Sequence, residues 1–175
     1  WNMACDGSLS PEEMAELESK NILLIDGSLG EGGGQVLRIS VALAAILRRK
    51  VMIYKIRHNR SKPGMRAQHL EGIKLVSKLH QGKLKGDTLY SRKLLFYPGE
   101  FLPQPGIIAD PNTAGSICLL KQISLPTLVF GPCENLVTLK GGTNATMAPQ
   151  IDYATHVFGP TVARMGVDFS VDSTK

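Results

Sequence analysis

The run Gly30-Glu31-Gly32-Gly33-Gly34 constrains the fold of this chain more than any other stretch. It follows the short apolar segment Ile22 to Ile25, which ends in the turn Asp26-Gly27. It precedes Val36, Ile39, Leu43, Ile46 and Leu47, whose spacing predicts a helix from Gln35 to Leu47. A strand, a glycine turn and a helix in that order make an α/β unit with almost no side chains at its junction. The first N–H groups of a helix have no partner within it, and the dipole is positive there, so the junction can receive an anion. The plainer alternative is close chain packing, with Glu31 as an acid of the first helical turn.

The pattern continues. Val51 to Ile56 alternates as a strand, Lys62-Pro63-Gly64 marks a turn, and Leu70, Ile73, Val76 and Leu79 predict a helix from Met65 to His80. Short strands at Lys83–Lys85 and Lys93–Tyr97 complete a βαβαββ unit. The order then repeats: a strand at Ile107–Ala109, a helix over Thr113–Val129 that Pro126 should bend or end, and a strand at Leu136–Leu139. A helix over Ile151–Val162, bent by Pro160, and a strand at Val167–Val171 follow. The fold class is therefore α/β (α+β), two copies of one unit with the second cut short. Residues 1–20 form an acidic leader, 21–98 the first unit and 99–175 the incomplete second. In the leader, Ser10-Pro11-Glu12-Glu13 reads as a helix start, so a short solvated helix or a frayed tail without function is expected.

Composition narrows the function classes. With 43% hydrophobic and 20% charged residues, the 175-residue chain is expected to be globular rather than disordered. Ile39 to Leu47 is too short to span a bilayer, so no membrane partner is expected. The acidic N-terminal segment argues against secretion. Cys5, Cys118 and Cys133 have no metal-ligand spacing, so no zinc site is expected. The net charge of +5 conceals a sum of −4 over residues 1–20 and +9 over the rest. Arg48 to Leu70 carries Arg48, Arg49, Lys50, Lys55, Arg57, Arg60, Lys62 and Arg66 without one carboxylate. Such a field favours phosphate or nucleic acid, and a solvated basic face is the equal alternative.

The candidate site residues cluster around these two features. A carboxylate at Glu31 would hold a divalent metal against phosphate oxygens rather than bind an anion itself. Gln35 and Arg38 share one face of the first helical turn. Arg38 needs a partner for its guanidinium, either a phosphate or a carboxylate such as Asp26 or Glu31. Arg57 and Arg60, three residues apart in a loop, can converge on one phosphoryl group. Gln68 and His69 occupy the first turn of the next helix, and Gly141-Gly142-Thr143-Asn144 is a second glycine turn where a ligand contact is expected. The glycine run is not a P-loop, lacking Gly-Lys-Ser/Thr, nor a GxGxxG dinucleotide fingerprint. Aromatic stacking platforms are absent from the basic segment except for Tyr54.

Five motifs in order resemble one family. They are Gly30-Glu31-Gly32-Gly33-Gly34-Gln35 with Arg38, Arg57 and Arg60 with Pro63-Gly64 and Gln68-His69-Leu70, Ala114-Gly115-Ser116, Gly141-Gly142-Thr143-Asn144, and Ala148-Pro149. Together they resemble the RNA 3′-terminal phosphate cyclases. The resemblance implies a domain of repeated βαβαββ units, related to a translation initiation factor domain and to enolpyruvyl transferases. It implies ATP and a divalent metal (Mg or Mn) as cofactors, and an RNA with a 3′-phosphate end as partner. The implied product is a 2′,3′-cyclic phosphodiester, reached through enzyme–AMP and RNA–adenylate intermediates.

By position, Glu31 is similar to the family's metal-site carboxylate. Arg38, Arg57 and Arg60 are similar to its catalytic phosphate-binding residues, with Gln68 and His69 beside them on the substrate phosphate. Gln122, Pro149 and Gln35 are similar to its nucleotide-binding positions. The nucleotidyl-accepting histidine lies in the family's C-terminal region, and His58, His69, His80 and His156 do not match its context. An insert domain and a C-terminal unit are also missing, so the chain as given is expected not to form the AMP adduct. The resemblance places a eukaryotic member in the nucleus and any other in the cytoplasm. The alternatives are a non-catalytic cyclase-like protein of ribosomal RNA processing, an enolpyruvyl-transferase-like enzyme, and a generic RNA-binding domain.

Overall fold

The computed structural model describes residues 6–103 and 105–172; the first five residues of the acidic leader lie outside them. The rest of the leader is a docked helix, not a frayed tail. Ser10 caps α1 (Pro11–Ser19): its Oγ accepts the Glu13 N–H at 3.1 Å, and Glu13 Oε2 accepts the Ser10 N–H at 2.8 Å. Met14 and Leu17 then pack with Leu9, Ile22, Met52 and Leu95 on the outer face of a sheet. Lys93 Nζ reaches Glu13 Oε2 at 3.4 Å from that sheet.

The first unit has the βαβαββ order. Its elements are β1 (Leu23–Asp26), α2 (Gly34–Ile46), β2 (Val51–Tyr54), α3 (Ala67–Leu79), β3 (Lys83–Lys85) and β4 (Leu94–Tyr97). The sheet order is β1-β2-β4-β3, with β1 parallel to β2 and β4 antiparallel to both neighbours. Val51 and Ile53 face the helices, where they meet Leu37, Val41, Ala45, Ile73, Val76 and Phe96 in the main core. Met52 faces α1's side, so β2 is buried on both faces, which explains its unbroken apolar run.

The second unit contributes β5 (Ile107–Ala109), α4 (Ile117–Val129) and β6 (Val137–Leu139), with β5 parallel to β6. Helix α4 starts four residues later than the periodicity suggests, because Ala114-Gly115-Ser116 is held in a loop and Ser116 caps the helix. It runs through Pro126 rather than ending there. A final helical stretch comprises α5 (Ile151–Tyr153), a π-helical turn (Ala154–Phe158) and α6 (Gly159–Ala163). Pro160 falls in the first turn of α6, where its missing N–H is tolerated.

The expected strand at Val167–Val171 does not form: residues 167–172 join no ladder. The Phe169 ring is drawn instead to the helices, 6.0 Å from Phe158 and 4.6 Å from Lys121 Nζ.

The two units share α3. One side carries Ile73 and Val76 in the main core, and the other puts Leu75 and Leu79 against Ile107, Ala109 and Leu120. Helix α4 packs on both α2 and α3. Gly72 allows that approach: a Cβ there would stand 2.9 Å from Ile123 Cγ2. No helix among the described residues is long and apolar enough to cross a membrane.

Candidate phosphate-binding site

Because β1 and β2 are parallel, both release their chains at one edge of the sheet. The glycine run leaves β1 there and the basic loop leaves β2. Lys55 Nζ ties the two exits together through Asp26 Oδ2 at 3.4 Å. Across this edge the loops touch without glycine side chains between them. A Cβ on Gly32 would stand 2.8 Å from Asn59 Nδ2, one on Gly33 2.7 Å from Arg60 Nη2, and one on Gly34 2.2 Å from His69 Nε2. Gly34 also abuts Arg38 Nη1, at 2.9 Å from the same Cβ position. Asn59 fixes the contact by donating from Nδ2 to the Ser28 carbonyl at 3.0 Å. These close approaches, rather than turn geometry alone, require the run of glycines.

Helix α2 therefore begins in a cationic pocket. Its N-cap is Gly33, and no side chain caps it. Arg57 is half-buried and in the left-handed region (φ 55°). Its Nη1 donates to the carbonyls of Lys62 at 2.7 Å and Gly64 at 2.9 Å, which anchors one side of the guanidinium. Burial, then Arg66 and Arg60 nearby, hold its pKa below the usual arginine value. Arg60 Nη2 donates to Glu31 Oε2 at 2.9 Å. That pair is exposed, with the Glu31 side chain 89% accessible, so it contributes little stability and opens readily.

His69 is a neutral donor. Burial, followed by Arg57, Arg38 and Arg66, pushes its pKa down to about 3. Its Nδ1 accepts the Arg66 main-chain N–H at 3.3 Å, so the proton sits on Nε2, beside Gly34.

The structure gives three of the candidates partners within the chain. Arg38 pairs with neither Asp26 nor Glu31: its Nε donates to Gln122 Oε1 at 2.7 Å, because α4 lies against α2. Gln68 is turned toward the second unit, where its Oε1 accepts the Ser116 N–H at 2.8 Å. In the second glycine turn Gly142 pairs with the neighbouring loop, while Gly141, Thr143 and Asn144 stay exposed. Gly142 donates its N–H to Gly115 O at 2.8 Å and accepts the Ile117 N–H at 3.1 Å. Among the other candidates, Gln35 lies exposed in the first turn of α2. Gln122 and Pro149 line one cleft of 220 Å³ with Cys118, Lys121, Tyr153 and Phe158. Lys121 Nζ is buried there without a hydrogen-bond partner, over the rings of Phe158 and Phe169.

Sequence reasoning passed over Asn59, Lys121 and Tyr90. Asn59 carried a signal, its place between the two arginines. Tyr90 carried none, for it reaches the site only through the fold: Arg66 stands 4.9 Å from its ring.

No group of three His, Cys, Asp or Glu that could hold a metal occurs among the described residues. The lone exposed carboxylate of Glu31 fits a different kind of site. A magnesium-type ion takes one or two carboxylates and fills its shell with water and substrate phosphate.

An uncapped helix start, ringed by guanidinium groups and a neutral imidazole donor, suits an anion such as a phosphoryl group. On the fold and these junctions, this is an α/β protein with an open, cation-lined helix start at one sheet edge. The comparison with known proteins narrows that class: the chain belongs to the RNA 3′-terminal phosphate cyclase family, whose profile matches residues 29–175. A protein named as a probable RNA 3′-terminal phosphate cyclase from Dictyostelium discoideum is 44% identical over 165 residues, covering 92% of this chain and 38% of the relative. The RNA 3′-terminal phosphate cyclase of Sulfolobus acidocaldarius is 42% identical over 151 residues, covering 86% of this chain and 44% of the relative. That of Pyrococcus furiosus is 42% identical over 147 residues, covering 84% and 43%. The chain thus spans less than half the length of these relatives.

Proposed function

We propose that this chain supplies the phosphate-binding part of an ATP-dependent enzyme that converts an RNA 3′-phosphate end to a 2′,3′-cyclic phosphodiester. The observation that supports it most is the convergence of Arg38, Arg57, Arg60 and His69 on the open start of α2. A phosphate monoester dianion resists attack at phosphorus. Transfer of AMP from ATP, whose α–β phosphoanhydride bond breaks to release pyrophosphate, to one of the monoester's oxygens gives it a leaving group. The neighbouring 2′-oxygen then forms the new P–O bond, and AMP departs with the electron pair of the old one.

In this reading the chain's work is positioning and charge neutralisation. Arg57, pre-anchored on two loop carbonyls, presents its remaining N–H groups to the terminal phosphate. Arg60 exchanges the weak Glu31 contact for a phosphate oxygen, which releases the carboxylate. A magnesium or manganese ion, when bound, would be held by Glu31 and would offset phosphate charge. His69, neutral in the ligand-free chain, donates from Nε2 to a phosphate oxygen. Gln122, Pro149 and the apolar cleft receive the nucleotide, with Gln35 a further contact from the first turn of α2. Gln68 acts from behind, holding the Ser116 loop so that Gln122 faces Arg38.

The test uses the full-length gene product, ATP labelled at the α-phosphate, divalent metal and an RNA ending in a 3′-phosphate. Covalent labelling by AMP and a cyclic RNA end are expected, both abolished by Glu31→Ala with the fold intact by circular dichroism. Absence of both products from the unaltered protein would sink the proposal. Activity surviving in Glu31→Ala would remove Glu31 from its assigned role.

A further inference from the structure

We propose that Tyr90 and Arg66 form a stacking platform for the base of the RNA's 3′-terminal nucleotide, beside the phosphate site. The inference rests on the reading of that site as one for an RNA 3′-phosphate. Tyr90 is 62% exposed, an unusual position for a tyrosine that makes no use of the core. Its backbone is in the left-handed region (φ 66°), which is unfavourable for a residue with a bulky side chain. The surroundings hold it there. The Tyr90 N–H donates to Met65 O at 2.8 Å, and Met65 in turn donates to Ser91 O at 3.0 Å. Gly64 permits the close approach, since a Cβ on it would stand 2.2 Å from Tyr90 O.

The ring is thereby linked to the phosphate ligands on two sides. Gly64, against its backbone, offers the carbonyl that anchors Arg57 at 2.9 Å. Arg66, whose guanidinium lies 4.9 Å from its ring centroid, gives the main-chain N–H that sets the tautomer of His69. The platform thus joins the basic loop, which carries Arg66, to the connection between β3 and β4, which carries Tyr90.

The chemistry selects the ligand. Arginines around a helix start bind any phosphomonoester and read nothing beyond it. An exposed ring next to a guanidinium adds a flat surface that a base can cover, and stacking of this kind tolerates every base. A terminal nucleotide whose phosphate sits at Arg57 would place its base over Tyr90 or Arg66. The site would then distinguish a nucleic-acid end from a small phosphate ester.

The experiment measures the affinity of the full-length protein for two short RNAs, each with a 3′-phosphate, one of them abasic at its last position. The unaltered protein should bind the base-bearing strand about five-fold or more tighter. Tyr90→Ala should lose that advantage and bind the abasic strand as before, while Tyr90→Phe should keep it. Thermal unfolding checks the fold of each variant, and the comparison of the two RNAs on unaltered protein needs no variant. Equal affinity for the two strands, or an undiminished preference in Tyr90→Ala, overturns the platform alone. Failure to bind either strand overturns the RNA 3′-phosphate reading beneath it, a separate result.

Discussion

The two units build the same junction and finish it in opposite ways. In each, a parallel strand pair is crossed by a helix, and an Asp–Lys pair closes the strand exits: Asp26 with Lys55 at 3.4 Å, Asp110 with Lys140 at 3.5 Å. The helix starts then diverge. Helix α4 is sealed, since Ser116 Oγ accepts the Leu119 N–H at 3.4 Å, Gln68 takes the Ser116 N–H, and Gly142 bridges the loop. Helix α2 is left open, with glycine at its cap and cations in place of acceptors. A duplicated scaffold thus carries one open helix start and one capped helix start. The N–H groups of Ser116, Ile117 and Leu119 at the capped start are taken by Gln68, Gly142 and Ser116 of the chain itself.

Closing the open junction should have the largest effect. Gly34→Ala forces a Cβ into His69 and Arg38, and such misplacement should lower affinity for a 3′-phosphate RNA by about 100-fold while the helix content is unchanged. Titration calorimetry beside circular dichroism checks both halves of that statement. The second effect is on pH dependence. His69 is held at about 3 in the folded chain against 6.5 when free, so the unfolded chain takes up the proton first as pH falls. Stability should therefore be full above about pH 6.5 and decline toward pH 3, by roughly a few kcal/mol in all. His69→Gln should flatten that part of the profile, and an unchanged slope would remove His69 as its source.

Disturbing the sealed junction should act on stability instead. Gly141→Ala places a Cβ 2.1 Å from Gly115 O, and a loss of about 1–3 kcal/mol is expected in denaturant melts. The smallest effect belongs to Ser116→Ala, which removes a helix cap, about 1 kcal/mol, and should leave RNA affinity unchanged. A loss of affinity there would show that the second junction is not merely structural.

The first unit was legible because its signals are local. The apolar run of β2, the helical period of α2 and the glycine run each lie within one turn or strand of their consequence. The place of Arg57 and Arg60 at a strand exit was legible for the same reason. The misreadings have long-range causes. Arg38 found its partner in Gln122, and the start of α4 was set by a cap and by Gln68. The alternation at Val167–Val171 records only half-burial, and Phe169 spends it on helices rather than on a ladder. Pro126 stayed within α4 despite its missing donor.

Two of the bonds between the units have a consequence for how the chain acquires its form. Arg38–Gln122 joins residues 84 apart in sequence, and Gln68–Ser116 joins residues 48 apart. Contacts across such spans follow the local helices and hairpins in time, because the entropy of closing large loops must be met first. A refolding chain should regain its helical signal before Arg38 and Gln122 meet, so ligand affinity matures last.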